Sequence, residues 1–166
     1  IRFGQQLFFD ARFSKTGTVS CATCHQAERQ WTDGRKLGVA LAEVDRNTPT
    51  LHNLRLSRWF GWDGANDNLW SQSIRPLLDA REMGFSEKQV ADLVRGDAEL
   101  SCNYRRVFGA APGMDDERVL VDLGKALAAF QETLVTGRTS FDDFRDALAR
   151  GDHKAATRYS AVAQRG

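Results

Sequence analysis

The sequence predicts an all-α domain. Apolar side chains recur at helical spacing through its second half, capping residues precede those stretches, and no segment alternates apolar and polar residues long enough for a strand. The chain has 166 residues, which is the length of one domain, and its 42% hydrophobic and 27% charged composition is typical of globular proteins. We therefore expect a single domain over residues 1–166.

The first third of the chain predicts one short helix and much irregular backbone. Three consecutive apolar residues at 7–9 favour a helix of about two turns over residues 4–10. Residues 14–20 are rich in Ser, Thr and Gly, which predicts a loop. Residues 30–47 show no period. A loop of that length is uncommon in a compact domain unless it has a function, and lining a cofactor would be one.

Helix signals are stronger from residue 48 onward. Thr48 and Pro49 have the form of an N-cap followed by proline in the first turn. The asparagines that begin residues 66–78 can cap a helix there. Residues 86–96 open with Ser-x-x-Gln, the form of a capping box, and end on a glycine that should close the helix.

A long amphipathic helix is predicted over residues 115–135. Its acidic start suits the positive end of a helix dipole. Its apolar residues follow one another at spacings of 1, 3, 4, 3 and 4, forming one stripe: Val119, Leu120, Leu123, Leu127, Phe130 and Leu134. Gly137 should end it, and a shorter helix over 141–148 should break at Gly151. The last segment, 154–165, is also compatible with a helix.

The charge pattern argues against two classes of partner. Lys plus Arg number 23 and Asp plus Glu 22, for a net charge of +1. Such a balance offers no field of one sign to hold nucleic acid or an anionic membrane. No apolar run approaches the roughly 18 residues that a membrane span needs. The chain begins at Ile1 and has no signal-peptide pattern, so we expect a processed product.

The strongest functional signal is the motif Cys21-x-x-Cys24-His25. Cys-x-x-Cys-His is the attachment signature of c-type haem. Two thiols one helical turn apart can each form a thioether to a haem vinyl group, and the adjacent histidine is then placed as the proximal iron ligand. Because haem is attached covalently outside the bacterial cytoplasm, we expect an exported, periplasmic protein.

Other uses of the two cysteines are weaker. A zinc site needs further paired ligands, whereas Cys102, His52 and His153 are isolated in the sequence. A redox dithiol needs a βαβ context, which the sequence does not predict. For Cys102 we expect a buried free thiol, with a bond to another chain as the alternative.

Six short motifs follow one another along the first half of the chain. They are the segments 3–10, 18–25 with Cys-x-x-Cys-His, 31–34, 46–50 with Asn-Thr-Pro, 60–64 with Gly-Trp-Asp-Gly, and the Gln, Pro and Glu-Met-Gly of 72–84. In this series, over roughly residues 1–135, the chain resembles the N-terminal haem domain of the bacterial di-haem cytochrome c peroxidase and MauG superfamily. The resemblance implies a cytochrome c-like, all-α haem domain with long irregular loops.

The resemblance also assigns roles to residues around the haem. Gln72, Pro76 and Glu82 match the distal-pocket trio in spacing, with Glu82 as the acid–base group for the peroxide proton. Taken alone, Glu82 would be a surface residue in a turn. Asn47 matches a ligand of a calcium ion between two haem domains. Trp62 matches a tryptophan that relays electrons between two haems, although large aromatics are more often core residues.

Two features depart from the family pattern. The peroxidase branch has a loop histidine that binds the iron at rest, and residues 26–51 contain no histidine. His52 lies beyond the Asn-Thr-Pro motif, so we expect a five-coordinate haem, as in the MauG-like branch. The family also has a second haem c in a C-terminal domain, which we expect beyond residue 166 or in a second chain.

The resemblance implies an enzyme that reduces hydrogen peroxide. Its electrons would come from the second haem, a small electron-donor protein or an oxidised protein side chain. The alternative is a mono-haem electron-transfer cytochrome whose sixth ligand is His52, Met83 or Met114. A haem-based sensor is a third, weaker hypothesis.

Overall fold

The structure, a computed structural model, describes residues 1–165 and is helical. Its α-helices are α1 (Arg2–Phe9), α2 (Cys21–Cys24), α3 (Leu69–Leu78), α4 (Glu87–Gly96), α5 (Ala98–Phe108), α6 (Asp116–Gln131), α7 (Ser140–Ala149), α8 (His153–Ala156) and α9 (Ala161–Arg165). Within residues 1–165, extended pairing is limited to three isolated bridges. The all-α prediction is confirmed. No helix in this range is long and apolar enough to cross a membrane.

The chain forms two compact units, Ile1–Val135 and Thr136–Gly166. The second unit contains α7, α8 and α9, and Phe144 stacks on Tyr159 with ring centroids 5.0 Å apart. Every residue that the sequence assigned to the haem site lies in the first unit. One haem domain over residues 1–166 stays a prediction.

In the first unit, α6 is the central helix, and α1, α3 and α4 pack against it. Two crossings depend on glycine. A Cβ at Gly4 of α1 would lie 1.8 Å from the Ala126 carbonyl oxygen, and one at Gly124 of α6 would lie 2.8 Å from the Trp70 carbonyl oxygen. These helices therefore touch backbone to backbone, and the apolar core surrounds α6.

Most predicted helices form where capping signals are local. Asn68 accepts a hydrogen bond from the Ser71 amide at 2.8 Å and caps α3. Ser86 and Gln89 form the predicted capping box of α4, which ends on Gly96. The predicted first helix, the loop over 14–20 and the irregular stretch over 30–47 are also present.

The helices differ from the expected pattern at four places. Thr48 and Pro49 start no helix, and the residue after them is tied to the irregular loop instead: Thr50 Oγ1 donates to the Gln30 carbonyl at 2.7 Å. The long helix ends at Gln131 instead of 135, and the Leu134 carbonyl accepts from the Asn53 amide. Helix α5 was not predicted, although Asp97 caps it and Gly109 ends it. The C-terminal segment forms two short helices, α8 and α9.

Candidate functional site

The first unit contains a cavity of about 250 Å³ between the irregular loop and the helices α3 and α6. Its lining is mainly apolar, from residues such as Phe8, Leu51 and Leu127. Seven of the eight site residues predicted from the sequence line it: Cys21, Cys24, His25, Trp62, Gln72, Pro76 and Glu82. Asn47 lies in an adjoining polar cleft. The fold thus brings the Cys-x-x-Cys-His motif and the distal trio to one cavity.

The short helix α2 presents both thiols and the histidine. Ser20 and Thr23 form a capping box around its first turn, and the His25 amide donates to the Cys21 carbonyl at 2.9 Å. Burial raises the pKa of Cys21 to about 12 and that of Cys24 to about 11. Protonated thiols are poor nucleophiles for disulfide exchange, which disfavours the redox dithiol. No three His, Cys, Asp or Glu side chains of residues 1–165 converge as a metal site.

His25 is oriented through its second ring nitrogen. Nδ1 lies 2.9 Å from the Trp31 carbonyl oxygen, so the tautomer protonated at Nδ1 donates there and keeps a lone pair on Nε2. Burial lowers the pKa of His25, which favours the neutral ring. A neutral histidine with its other nitrogen bound to a carbonyl is the usual arrangement of a metal-ligating imidazole.

Gln72 and Pro76 share a face of α3, four residues apart. The Gln72 side-chain oxygen accepts from Asn66 Nδ2 at 2.8 Å, which fixes the amide. Glu82 follows in a turn closed by the Met83 amide, which donates to the Pro76 carbonyl at 3.1 Å. This turn returns Glu82 to the cavity wall, half-buried, instead of leaving it on an open surface.

The pKa of Glu82 is raised, mainly because burial disfavours its charged form and secondly because of the nearby Asp79 carboxylate. Arg75 and Arg81 oppose the rise. A carboxyl group with a raised pKa can exchange a proton near neutral pH more readily than an exposed glutamate can. Its position and its pKa therefore both suit acid–base chemistry.

Trp62 lies at the rim of the cavity and is 59% exposed, so it is not a core residue. Its indole N–H donates to the Asn47 carbonyl at 2.8 Å. This bond joins the two residues that the resemblance placed between haem domains. Trp59 also lines the rim and is 68% exposed, whereas Trp70 is half-buried.

Among the candidate sixth ligands, only Met83 lines the cavity, and it is 2% exposed. Met114 is 88% exposed. His52 is outside the cavity lining, with Nε2 3.1 Å from Gln30 Oε1. Cys102 is exposed on α5, so the expectation of a buried thiol was wrong: it lies on the outer face of an amphipathic helix whose buried residues are Leu100 and Tyr104.

Sequence reasoning missed part of the cavity wall. Gln131 Nε2 donates to Ser73 Oγ at 2.8 Å, and both residues line the cavity. Ser73 in turn donates to the Leu69 carbonyl. The signal in the sequence was one polar residue on the buried side of each helix, Ser73 in α3 and Gln131 in α6. In α6 the apolar stripe drew attention away from Gln131.

Residues 1–152 match the family model described as di-haem cytochrome c peroxidase. The chain belongs to this family. Relatives in the di-haem cytochrome c peroxidase family include the methylamine utilization protein MauG of Methylorubrum extorquens, 36% identical over 157 residues, which are 93% of this chain and 42% of that protein. The cytochrome c551 peroxidase of Nitrosomonas europaea is 31% identical over 84% of this chain and 41% of its own length.

Solved structures show the same fold. A MauG-like protein associated with microbial copper homeostasis matches with a TM-score of 0.74 and 28% identity, over 89% of this chain and 43% of that chain. The diheme peroxidase BthA from Burkholderia thailandensis matches in fold with a TM-score of 0.77 and 24% identity, over 86% of this chain and 41% of that one. The chain spans less than half the length of these relatives.

The di-haem family implies haem c, and the residues present fit it. Two thiols on one helical turn, a neutral imidazole with Nδ1 engaged by Trp31, and a mainly apolar cavity are what covalent haem attachment requires. Cys21, Cys24 and His25 would hold the group. The family resemblance stated from the sequence motifs is confirmed.

Proposed function

We propose that this chain is a c-type haem domain of an oxidoreductase that reduces hydrogen peroxide. Cys21 and Cys24 would form the thioethers and His25 would bind the iron through Nε2. One observation carries the proposal: the attachment motif and a half-buried carboxyl group, Glu82, line the same cavity. A mono-haem carrier of electrons would not need an acid–base group there.

Bound haem would supply the redox-active iron at which peroxide is reduced. Glu82 would accept the proton from one peroxide oxygen and deliver it to the other, so that a water molecule can leave. Gln72, fixed by Asn66, would orient the substrate by hydrogen bonding. Pro76 offers no backbone donor and would keep the space beside the iron apolar.

Electrons would arrive through Trp62, whose exposed ring lies at the cavity rim. A second haem c, in a C-terminal domain or another chain, would provide these electrons. That haem would in turn receive them from a small electron-donor protein or from a protein side chain that is oxidised. Asn47 would supply one ligand of a calcium ion at that junction, and its carbonyl already fixes Trp62. We place the protein in the periplasm, where covalent haem attachment occurs.

A mono-haem electron-transfer cytochrome is the second candidate, and one observation favours it. Met83 is buried on the cavity wall, where a thioether could bind the iron as a sixth ligand. In the preferred proposal Met83 only packs, so the two candidates predict different coordination of the ferric iron.

The optical spectrum of the haem-loaded protein separates these candidates. A five-coordinate, high-spin ferric spectrum that changes within milliseconds to seconds of mixing with peroxide is expected for the peroxide-reducing protein. A low-spin spectrum that becomes high-spin in Met83→Leu, together with no reaction with peroxide, would establish the electron-transfer cytochrome instead.

A further inference from the structure

The turn that follows the Cys-x-x-Cys-His motif is strained. Gln30 and Trp31 have φ values of 59° and 61°, in the left-handed region that residues other than glycine adopt rarely. Two such residues in succession persist only where their surroundings hold them, and such strain is concentrated at functional sites. This pair brings the Trp31 carbonyl oxygen to within 2.9 Å of His25 Nδ1.

The peptide group that links Gln30 to Trp31 is held at both ends. Its N–H donates to the Gln26 carbonyl at 2.8 Å. Its oxygen accepts from Thr50 Oγ1 at 2.7 Å, across 20 residues of sequence. The next carbonyl along the chain, that of Trp31, accepts from His25 Nδ1. The Thr50 hydroxyl therefore binds the peptide group directly before the one that orients His25.

His52 strengthens the same attachment. Its backbone amide donates to Thr50 Oγ1 at 3.2 Å, and in the tautomer protonated at Nε2 its ring donates to Gln30 Oε1 at 3.1 Å. Nδ1 of His52 is buried without a hydrogen-bond partner in residues 1–165. The contact that the ring does make is thus the one between Nε2 and Gln30 Oε1.

We propose that Thr50 and His52 are positioning residues for His25. Through Gln30 they hold the Trp31 carbonyl in place, and they thereby set how strongly His25 donates to the haem iron. The inference rests on the proposed function, because it requires His25 as the iron ligand. A fixed acceptor on Nδ1–H makes Nε2 more basic, which stabilises oxidised iron relative to reduced iron.

Redox titration and resonance Raman spectroscopy of the haem-loaded protein test this inference. Thr50→Val keeps the side-chain shape but removes the hydroxyl. We expect the reduction equilibrium of this haem to shift about tenfold toward ferrous iron, which is about 59 mV for a one-electron couple. The iron–histidine stretching frequency should fall, and Thr50→Ser should restore both values.

Thr32→Val is the matched control. Thr32 lies in the same turn, and its hydroxyl donates to the Arg29 carbonyl at 2.9 Å instead of to Gln30. The reduction potential of the haem and the iron–histidine stretching frequency in Thr32→Val should equal those of the wild-type protein. Shifts in Thr32→Val as large as those in Thr50→Val would show a general response to loosening the turn and would overturn the proposal.

His52→Phe is the second variant, in case Thr50→Val folds poorly. It should shift both readouts in the same direction as Thr50→Val and leave the spin state unchanged. Wild-type values in both variants would overturn the inference while the proposed function stands. A change from low to high spin in His52→Phe would also overturn it, because His52 would then be an iron ligand. Absence of covalent haem from the wild-type protein would reject the proposed function itself.

Discussion

The two walls of the cavity are built differently. The loop wall, residues 18–62, contains the predicted haem attachment residues and is held by side-chain bonds to backbone carbonyls, such as that of Thr50 to Gln30. The helical wall, formed by α1, α3 and α6, is held by backbone-to-backbone crossings at Gly4 and Gly124. The loop wall therefore depends on individual hydrogen bonds, whereas the helical wall depends on close packing between helices.

The largest effect is expected on the loop wall. Replacing Cys21 and Cys24 together by alanine removes both thioether sulfurs, so acid–acetone extraction should release all haem from the protein, whereas the wild-type protein should retain it. The variant should also fold poorly, because haem completes the core of a small domain. Intact mass and the extracted pigment are the measurements.

Cys102→Ala is the control for this variant, because Cys102 is exposed on α5 and far in sequence from the attachment motif. Its haem content should match that of the wild-type protein. Retention of the pigment by the double variant would contradict the thioether assignment.

The second prediction concerns Glu82, which follows α3 on the helical side of the cavity. Glu82→Gln keeps the size of the side chain but cannot carry a proton. The rate of reaction with peroxide in stopped-flow mixing should fall by a factor on the order of 10² to 10⁴. The resting spectrum should stay the same, since no iron ligand is lost.

Glu87→Gln is the matched control, because Glu87 is exposed in the first turn of α4. It should react at the wild-type rate. Equal rates for Glu82→Gln and the wild-type protein would remove Glu82 from the mechanism.

The third prediction tests the helical wall. Gly4→Ala places a Cβ 1.8 Å from a backbone oxygen of α6, which cannot move without separating the helices. We expect the free energy of unfolding, measured by urea denaturation, to fall by about 3 kcal/mol. Gly96→Ala should instead raise it by about 0.5–1 kcal/mol, because a Cβ there meets no atom within 4 Å and alanine favours the helix. Equal free energies of unfolding for Gly4→Ala and the wild-type protein would contradict the close crossing of α1 and α6.

The smallest expected effect is the pH dependence of the rate of reaction with peroxide. Because burial raises the pKa of Glu82, its proton-accepting form is gained at higher pH than for an ordinary glutamate. The peroxide rate should rise with pH through that raised pKa, by about tenfold per unit below it. Glu82→Gln should abolish this limb of the profile.

The same shift has a consequence for stability. A carboxyl group whose pKa is raised on folding contributes stability that is fully present below its unfolded pKa and is lost as pH rises through the folded pKa. Glu82→Gln should therefore gain stability relative to the wild-type protein above that range. Urea denaturation at several pH values measures this difference.

Much of this protein was predictable because its signals are local. The caps of α3 and α4 join residues three positions apart, and the spacing of Cys21, Cys24 and His25 is set within one helical turn. The spacing of Gln72 and Pro76 likewise follows from one helix. In each case a few neighbouring residues fix the backbone, so the sequence alone determines the element.

Only the tertiary structure decided how these elements meet. Thr48 and Pro49 begin no helix, and the next residue, Thr50, is bonded to the loop at Gln30. Glu82 reaches the cavity because a turn closes on Pro76. The left-handed turn at Gln30 is held by Thr50, 20 residues away. Local propensity contains no information about such partners. The hydrogen bond between Thr50 and Gln30 forms only when folding brings their two segments together. Its energy then stabilises a backbone conformation that Gln30 would rarely adopt by itself.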